Sequence, residues 1–190
     1  PGASTFNSLT INGAAGVTTL GTDISVGTLA MTSATGTIED GGHTITVTGS
    51  VTGTGQHTGT GKISMTAASG GTLSAISPAG NLEINPGAGN SIALSGSLIT
   101  DANVTFSGGA LAIGAHTLTF GPGTAVSGMS GTNFLTGSST SSLSITATNG
   151  IGTLFFDQSA AGTSTSVGVS DNLATFTVNG SGTPPLATLG

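Results

Sequence analysis

Between Gly80 and Gly121 apolar residues recur two apart: Leu82 and Ile84, Ile92 and Leu94, Val104 and Phe106, Leu111 and Ile113, Leu118 and Phe120. Each pair lies in a short alternating run ended by Gly, Asn, Asp or Pro, which reads as a very short strand with one buried face. The spacing of the pairs predicts an all-β fold, a β-solenoid. Ile63 to Leu82 is 19 residues, Leu82 to Val104 is 22, Leu73 to Ile92 is 19 and Ile92 to Leu111 is 19. A drifting period of about 20 residues matches one coil of a parallel β-helix with two or three short strands per coil. Roughly nine such coils would make a rod about 40 to 45 Å long.

The same alternation runs through the rest of the chain with local breaks. Phe6, Leu9 and Ile11, then Val17 and Leu20, Ile24 and Val26, Leu29 and Met31 predict an N-terminal series of strands of three to five residues, cut at Asn12-Gly13 and Gly21. Ile38, Ile45, Val47, Val51, Ile63 and Met65 continue the inward set. From Thr52 to Lys62 Gly and Thr dominate, which predicts a protruding loop or a thinly packed turn and the flexible part of the chain. From Gly121 to Gly137 the pattern weakens, with Val126, Met129, Phe134 and Leu135 irregularly spaced. It resumes at Leu143 and Ile145, Leu154 and Phe156, Val167 and Val169, and Leu173, Phe176 and Val178. Phe155 stands next to Phe156, so one of the two rings must point outward. Residues 1–182 read as a single solenoid domain and 183–190 as a linker or docking tail, where Pro184-Pro185 stops ladder pairing while Leu186 and Leu189 can still dock. No window shows a helical period, so almost no helix is expected.

Composition narrows the partners. Only 4% of residues are charged, against about 25% in a typical soluble domain. Lys62 is the one base, there is no Arg, and seven acids bring the formal net charge to −6. Such a chain cannot build the basic surface that a phosphate backbone requires, so nucleic acid is excluded, and anionic membrane surfaces are disfavoured. Mean hydropathy of +0.34, with periodic apolar residues, argues for a folded chain rather than a disordered one. Zero Cys rules out disulfides and thiolate metal sites. No apolar run reaches the length of a membrane span, and no secretory signal pattern opens the chain. It begins on Pro1, as expected of a mature product or a segment of something longer.

Few residues invite chemistry. Glu39, Asp40 and His43 could bind a metal or act as acid and base, but the favoured reading is a solvated turn in which Gly41 and Gly42 supply the bend. Gly53 to Lys62 superficially matches a phosphate-binding loop and fails where it matters: Gln56 replaces a required glycine and Ile63 the magnesium-holding hydroxyl. His116 occupies a turn between two strands. Phe6, Phe106, Phe120, Phe134, Phe155, Phe156 and Phe176 read as core stacks rather than a binding platform. Asn103-Val104-Thr105 and Asn179-Gly180-Ser181 match the N-glycosylation triplet, at a frequency chance supplies in so Ser- and Thr-rich a chain. Asp23, Asp101, Asp157 and Asp171 lack the spacing of calcium-binding solenoids. No catalytic, cofactor-binding or metal-binding residue is assigned, and no cofactor is expected.

The phrases FNSLTINGAAGVTTLGTDI, ALAIGAHTLTFG and NLATFTVNGSGT resemble those of large bacterial surface and secreted proteins built of β-strand repeats, of the filamentous haemagglutinin-like and autotransporter passenger type. The resemblance implies a right-handed parallel β-helix, export to the cell surface or beyond, and a role as adhesin, filament or surface-layer component. It carries no catalytic residues over. Three functions follow as expectations. The first is structural: an extracellular filament, sheath or adhesin segment that self-associates end to end, since uncapped solenoid ends present unpaired strand edges. The second is a surface module for ice or carbohydrate, such as host or surface glycans, using Thr44, Thr46 and Thr48 or Thr117 and Thr119, although these rows do not recur at a constant period. The third, a polysaccharide lyase or hydrolase, has only Lys62 as a base, so no enzyme is expected.

Overall fold

The structure, a computed structural model, describes residues 3–13, 16–76, 80–138, 140–147, 152–157, 166–169, 173–179 and 186–189. The described residues contain strands and turns and no helix. In chain order the strands are β1 (Ser4–Ile11), β2 (Val17–Thr19), β3 (Ile24–Met31), β4 (Thr37–Glu39), β5 (Thr44–Gly53), β6 (Gln56–Thr58) and β7 (Lys62–Met65). Then come β8 (Thr72–Leu73), β9 (Leu82–Ile84), β10 (Ser91–Leu94), β11 (Leu98–Thr100), β12 (Val104–Phe106), β13 (Gly109–Ala112) and β14 (Thr117–Phe120). The series ends with β15 (Val126–Ser127), β16 (Asn133–Thr136), β17 (Ser142–Ile145), β18 (Gly152–Asp157), β19 (Ser166–Val169), β20 (Leu173–Asn179) and β21 (Leu186–Leu189).

Every ladder between these strands is parallel, and partners lie about one coil apart in sequence, so the chain is a β-solenoid with three strand columns. The first column stacks the leading halves of β1, β3 and β5 on β7, β9, β12 and β15. The second stacks their trailing halves on β8, β10, β13, β16, β18 and β20. The third is formed by β2, β4 and β6 and by β11, β14, β17, β19 and β21. The first column therefore has seven rungs and the second nine among the described residues, close to the roughly nine coils expected.

The register predicted from spacing is the observed one at Ile63, Leu82 and Val104 and at Ile92 and Leu111. Leu73 pairs instead with Leu94, two residues beyond Ile92. Two further expectations are corrected. Of the N-terminal strands only β2, with three residues, has the expected length: β1 and β3 have eight, and β5 after them has ten. They turn the corner between the first two columns without leaving the strand because glycine stands at the bend. A Cβ on Gly27 would come within 2.5 Å of Asn7 O, and one on Gly49 within 2.5 Å of Gly27 O. From the next rung on, Thr66 to Gly71 fill the corner and the sheet divides into separate columns, β7 and β8 both pairing with β5.

The other correction concerns Thr52 to Lys62, which is no protruding loop. It holds β6 in the third column and the start of β7 in the first, tied by Gln56 N–H to Gly36 O and Lys62 N–H to His43 O. Small residues are there because rungs press together at the corners, not because packing is thin.

The core is a set of inward ladders. Val26, Val47, Met65, Ile84 and Phe106 stack down the first column, with exposures of 0 to 1%. Leu29, Val51 and Leu73 do so in the second, and Leu118 and Leu143 beside Phe120 and Ile145 in the third. Apolar side chains recur at one-rung intervals in each column, so each rung is stabilised mainly by its two neighbours. The weak stretch from Gly121 to Gly137 still supplies β15 and β16, with Leu135 buried and Val126 and Met129 packed against the core. Of the tail, Leu186–Leu189 pairs in parallel with β19.

Candidate functional site

The structure disperses the acidic and histidine cluster of the β4 to β5 turn. Glu39 points outward and accepts a hydrogen bond from Thr19 Oγ1 at 3.0 Å. His43 faces Asp23, Nδ1 to Oδ1 at 3.4 Å, on the surface. Asp40 alone turns inward and is completely buried, which corrects the solvated-turn reading for that residue. Gly41 and Gly42 do supply the bend, with φ of 61° and 85°. The bend brings backbone donors onto the carboxylate: Asp40 Oδ1 accepts from Gly42 N at 2.8 Å and from Gly61 N, one rung below, at 2.7 Å. Its Oδ2 lies 2.9 Å from His57 Nε2.

His57 was not singled out by the sequence reading, yet the period contains it. It sits directly under Ile38 in the third column, so the coil repeat alone places it in an inward ladder. The ring is 1% exposed, and its Nδ1 has no hydrogen-bond partner among the described residues. Burial lowers the His57 pKa from its ordinary value of 6.5, and the neighbouring Asp40 charge and hydrogen bond only partly oppose this. At neutral pH the ring is therefore uncharged, donating from Nε2 to Asp40, with Nδ1 left as an acceptor that no described residue uses. The pair is a structural tie between rungs, sealed from solvent and substrate.

A pH dependence follows. In the unfolded chain His57 takes up a proton near its ordinary value; in the fold it resists until a lower pH. Wherever the unfolded state binds more protons, stability falls as pH falls. The melting temperature is expected to hold above neutrality and to drop as pH is lowered from about 7 towards 5. A melting series in His57→Gln, which cannot titrate, should lose that slope; an unchanged slope would assign it to other groups.

Asp23 and Asp101 act as clips where the chain leaves a ladder and backbone N–H groups need acceptors. Asp23 Oδ1 accepts from Thr44 N at 2.9 Å and Asp101 Oδ1 from Gly123 N at 2.7 Å, each one rung on. Asn81 does the same for Asn103 N at 3.2 Å. Glu83 meets Lys62, Oε2 to Nζ at 2.7 Å, and accepts from Ser107 Oγ at 2.6 Å. Partial burial pushes the Glu83 pKa up, but hydrogen bonds from Lys62, Ser107 and Ser64 and the Lys62 charge outweigh it, holding the carboxyl below its ordinary value. Among the described residues no three acids or histidines gather as a metal site. His116 closes the turn into β14 through its N–H to Ile113 O.

Phe106, Phe120 and Phe156 are core residues as expected, but Phe6 is 44% exposed, and Phe134 and Phe155 are half-buried on the outward side. Phe155 is thus the ring that alternation required to face out. Asp171 and the Asn179-Gly180-Ser181 triplet beyond Asn179 lie outside the described residues, as do the side chains of Asp157 and Phe176. The Thr rows do not continue as threonine from rung to rung: Thr44 pairs with Lys62, Thr46 with Ser25 and Ser64, and Thr117 and Thr119 with Ser142 and Ser144. Thr5, Ser25, Thr46, Ser64, Glu83, Thr105 and Ser127 form one outward ladder, because corners absorb the differences in coil length.

Comparison of the chain with family models, with curated proteins and with solved structures gives no match.

Proposed function

We propose that this chain is a non-enzymatic structural segment of an extracellular bacterial filament, sheath or adhesin that assembles through the ends of its solenoid. The observation that supports this is the outer edge of β1, which no described residue covers. Among the described residues β1 pairs only with β3. All but two of its residues are exposed, and Phe6 heads an inward ladder whose next member, Val26, is 0% exposed. A parallel strand from another copy laid on β1 would cover Phe6 and extend the ladder. The near absence of charge removes the usual electrostatic barrier to such pairing. Lys62, the one base, is already bound to Glu83, and the Asp40 and His57 pair is enclosed, which leaves little for an enzyme to use. An ice-binding surface is not favoured: the outward ladders of the first column mix Lys62, Asn81, Glu83 and Asn103 with hydroxyls.

Sedimentation velocity and negative-stain microscopy test the reading. The wild-type chain is expected to form concentration-dependent rods longer than one copy, and Phe6→Lys, which puts a charge on the joining face, is expected to leave it monomeric. A wild-type chain that stays a monodisperse monomer at high concentration removes the proposal.

A further inference from the structure

The outward side of the second column carries a different surface from the hydroxyl ladders. Ser91, Ala110 and Phe134 are in register on consecutive rungs, between inward residues Ile92, Leu111 and Leu135 that are fully buried. Leu135 pairs with Phe156, so Phe155 stands on the next rung of the same outward ladder. Strand spacing sets the two rings about 4.8 Å apart along the rod. Beside Phe134 lies an open cleft of about 230 Å³, lined among others by Asn90, Ser91, Thr132 and Thr136. Gly89 and Gly109 contribute no side chain to it and Ala110 only a methyl, so the ring is flanked by a notch rather than by neighbours of its own size.

We infer that this cleft is a binding subsite for one neutral sugar ring. A pyranose has an apolar face of C–H groups and a rim of hydroxyls. The C–H face fits the electron-rich face of an aromatic ring. The rim needs neutral donors and acceptors, which Ser91 and Thr136 hydroxyls supply. Asn90 donates one amide N–H to Pro86 O at 3.3 Å, and its second N–H and side-chain oxygen are the polar groups it can offer the ligand. No residue named in the lining is charged, which selects a neutral sugar over a phosphorylated or acidic one. The volume is that of about eight liquid water molecules, enough for a single ring. A single stacked ring gives weak affinity, which repetition along a surface would multiply. The subsite does not depend on end-to-end assembly, since all its residues come from one chain.

Saturation-transfer NMR on the intact chain tests this, with the methyl glycosides of glucose, galactose, mannose and N-acetylglucosamine as probes. At least one is expected to receive saturation, strongest at its ring C–H protons. The signal should fall at least about threefold in both Phe134→Ala and Phe134→Leu, the second keeping apolar bulk while losing the ring face. Ile99→Ala, at an exposed apolar residue of the third column, should leave it unchanged. Circular dichroism verifies folding, and if Phe134→Ala does not fold, Phe134→Leu is read alone. No transfer to any of the four glycosides, or equal transfer in the folded Phe134 variants, overturns the inference.

Discussion

Replacing Asp40 with alanine is expected to destabilise the fold by about 2 to 4 kcal/mol, the cost of leaving the buried neutral His57 ring and the part-buried Gly61 N–H without their acceptor. The carboxylate is completely buried and holds three donors together: Gly42 N–H, Gly61 N–H and the His57 ring. Alanine leaves the His57 ring in an apolar interior, at about 1 to 3 kcal/mol for a donor that cannot reach water, and Gly61 N–H only partly hydrated, while the exposed Gly42 N–H turns to solvent. Asp40→Asn separates charge from geometry. Its carbonyl oxygen can still accept from the two glycines, and its amide can donate to His57 Nε2 once the ring moves its proton to Nδ1. That proton then finds no acceptor among the described residues, so the asparagine variant should lose about 1 to 3 kcal/mol. Chemical denaturation measures both, and amide exchange at β4 to β7 locates the damage. A cost below about 0.5 kcal/mol for Asp40→Ala would mean that the buried tie is not a structural element.

How much of this was legible in the chain depends on how far each contact reaches. The two-residue alternation predicted the strands, and the drifting period predicted parallel stacking, because inward side chains such as Ile63, Leu82 and Val104 must lie over one another. Corners were harder to read. Gly27 and Gly49 look like strand breaks, yet they keep the strand running, since only a residue without Cβ passes the carbonyl of the rung above. Glu39, Asp40 and His43 look like one polar cluster, and the chain sends them three ways. The partner of Asp40 is 17 residues on, not three, and only the coil register reveals it. The outward direction of Phe134 could not be read locally, because its neighbour Leu135 is also apolar and alternation does not say which faces in. Pairing of Leu135 with Leu111 decides it.

That assignment gives the second large effect. Phe106→Ala is expected to cost about 3 to 5 kcal/mol, while Phe134→Ala should cost less than about 1 kcal/mol. Both remove the same ring. Phe106 is 1% exposed, stacked under Ile84 in the first inward ladder. The strand that carries it, β12, is hydrogen-bonded to β9 on one side and β15 on the other, so it cannot shift inward to close the cavity without breaking a ladder. Below it the chain offers Gly128, which has no side chain to swing into the space. The cavity should therefore stay open, placing the cost towards the upper end of the range for phenylalanine truncation. Stacked rungs contact only their neighbours, so amide protection should fall first in β9, β12 and β15 and least in β3 and β5. Denaturant titration gives the totals and hydrogen exchange the location. Equal losses at Phe106 and Phe134 would contradict the inward and outward assignment on which both the core and the sugar cleft rest.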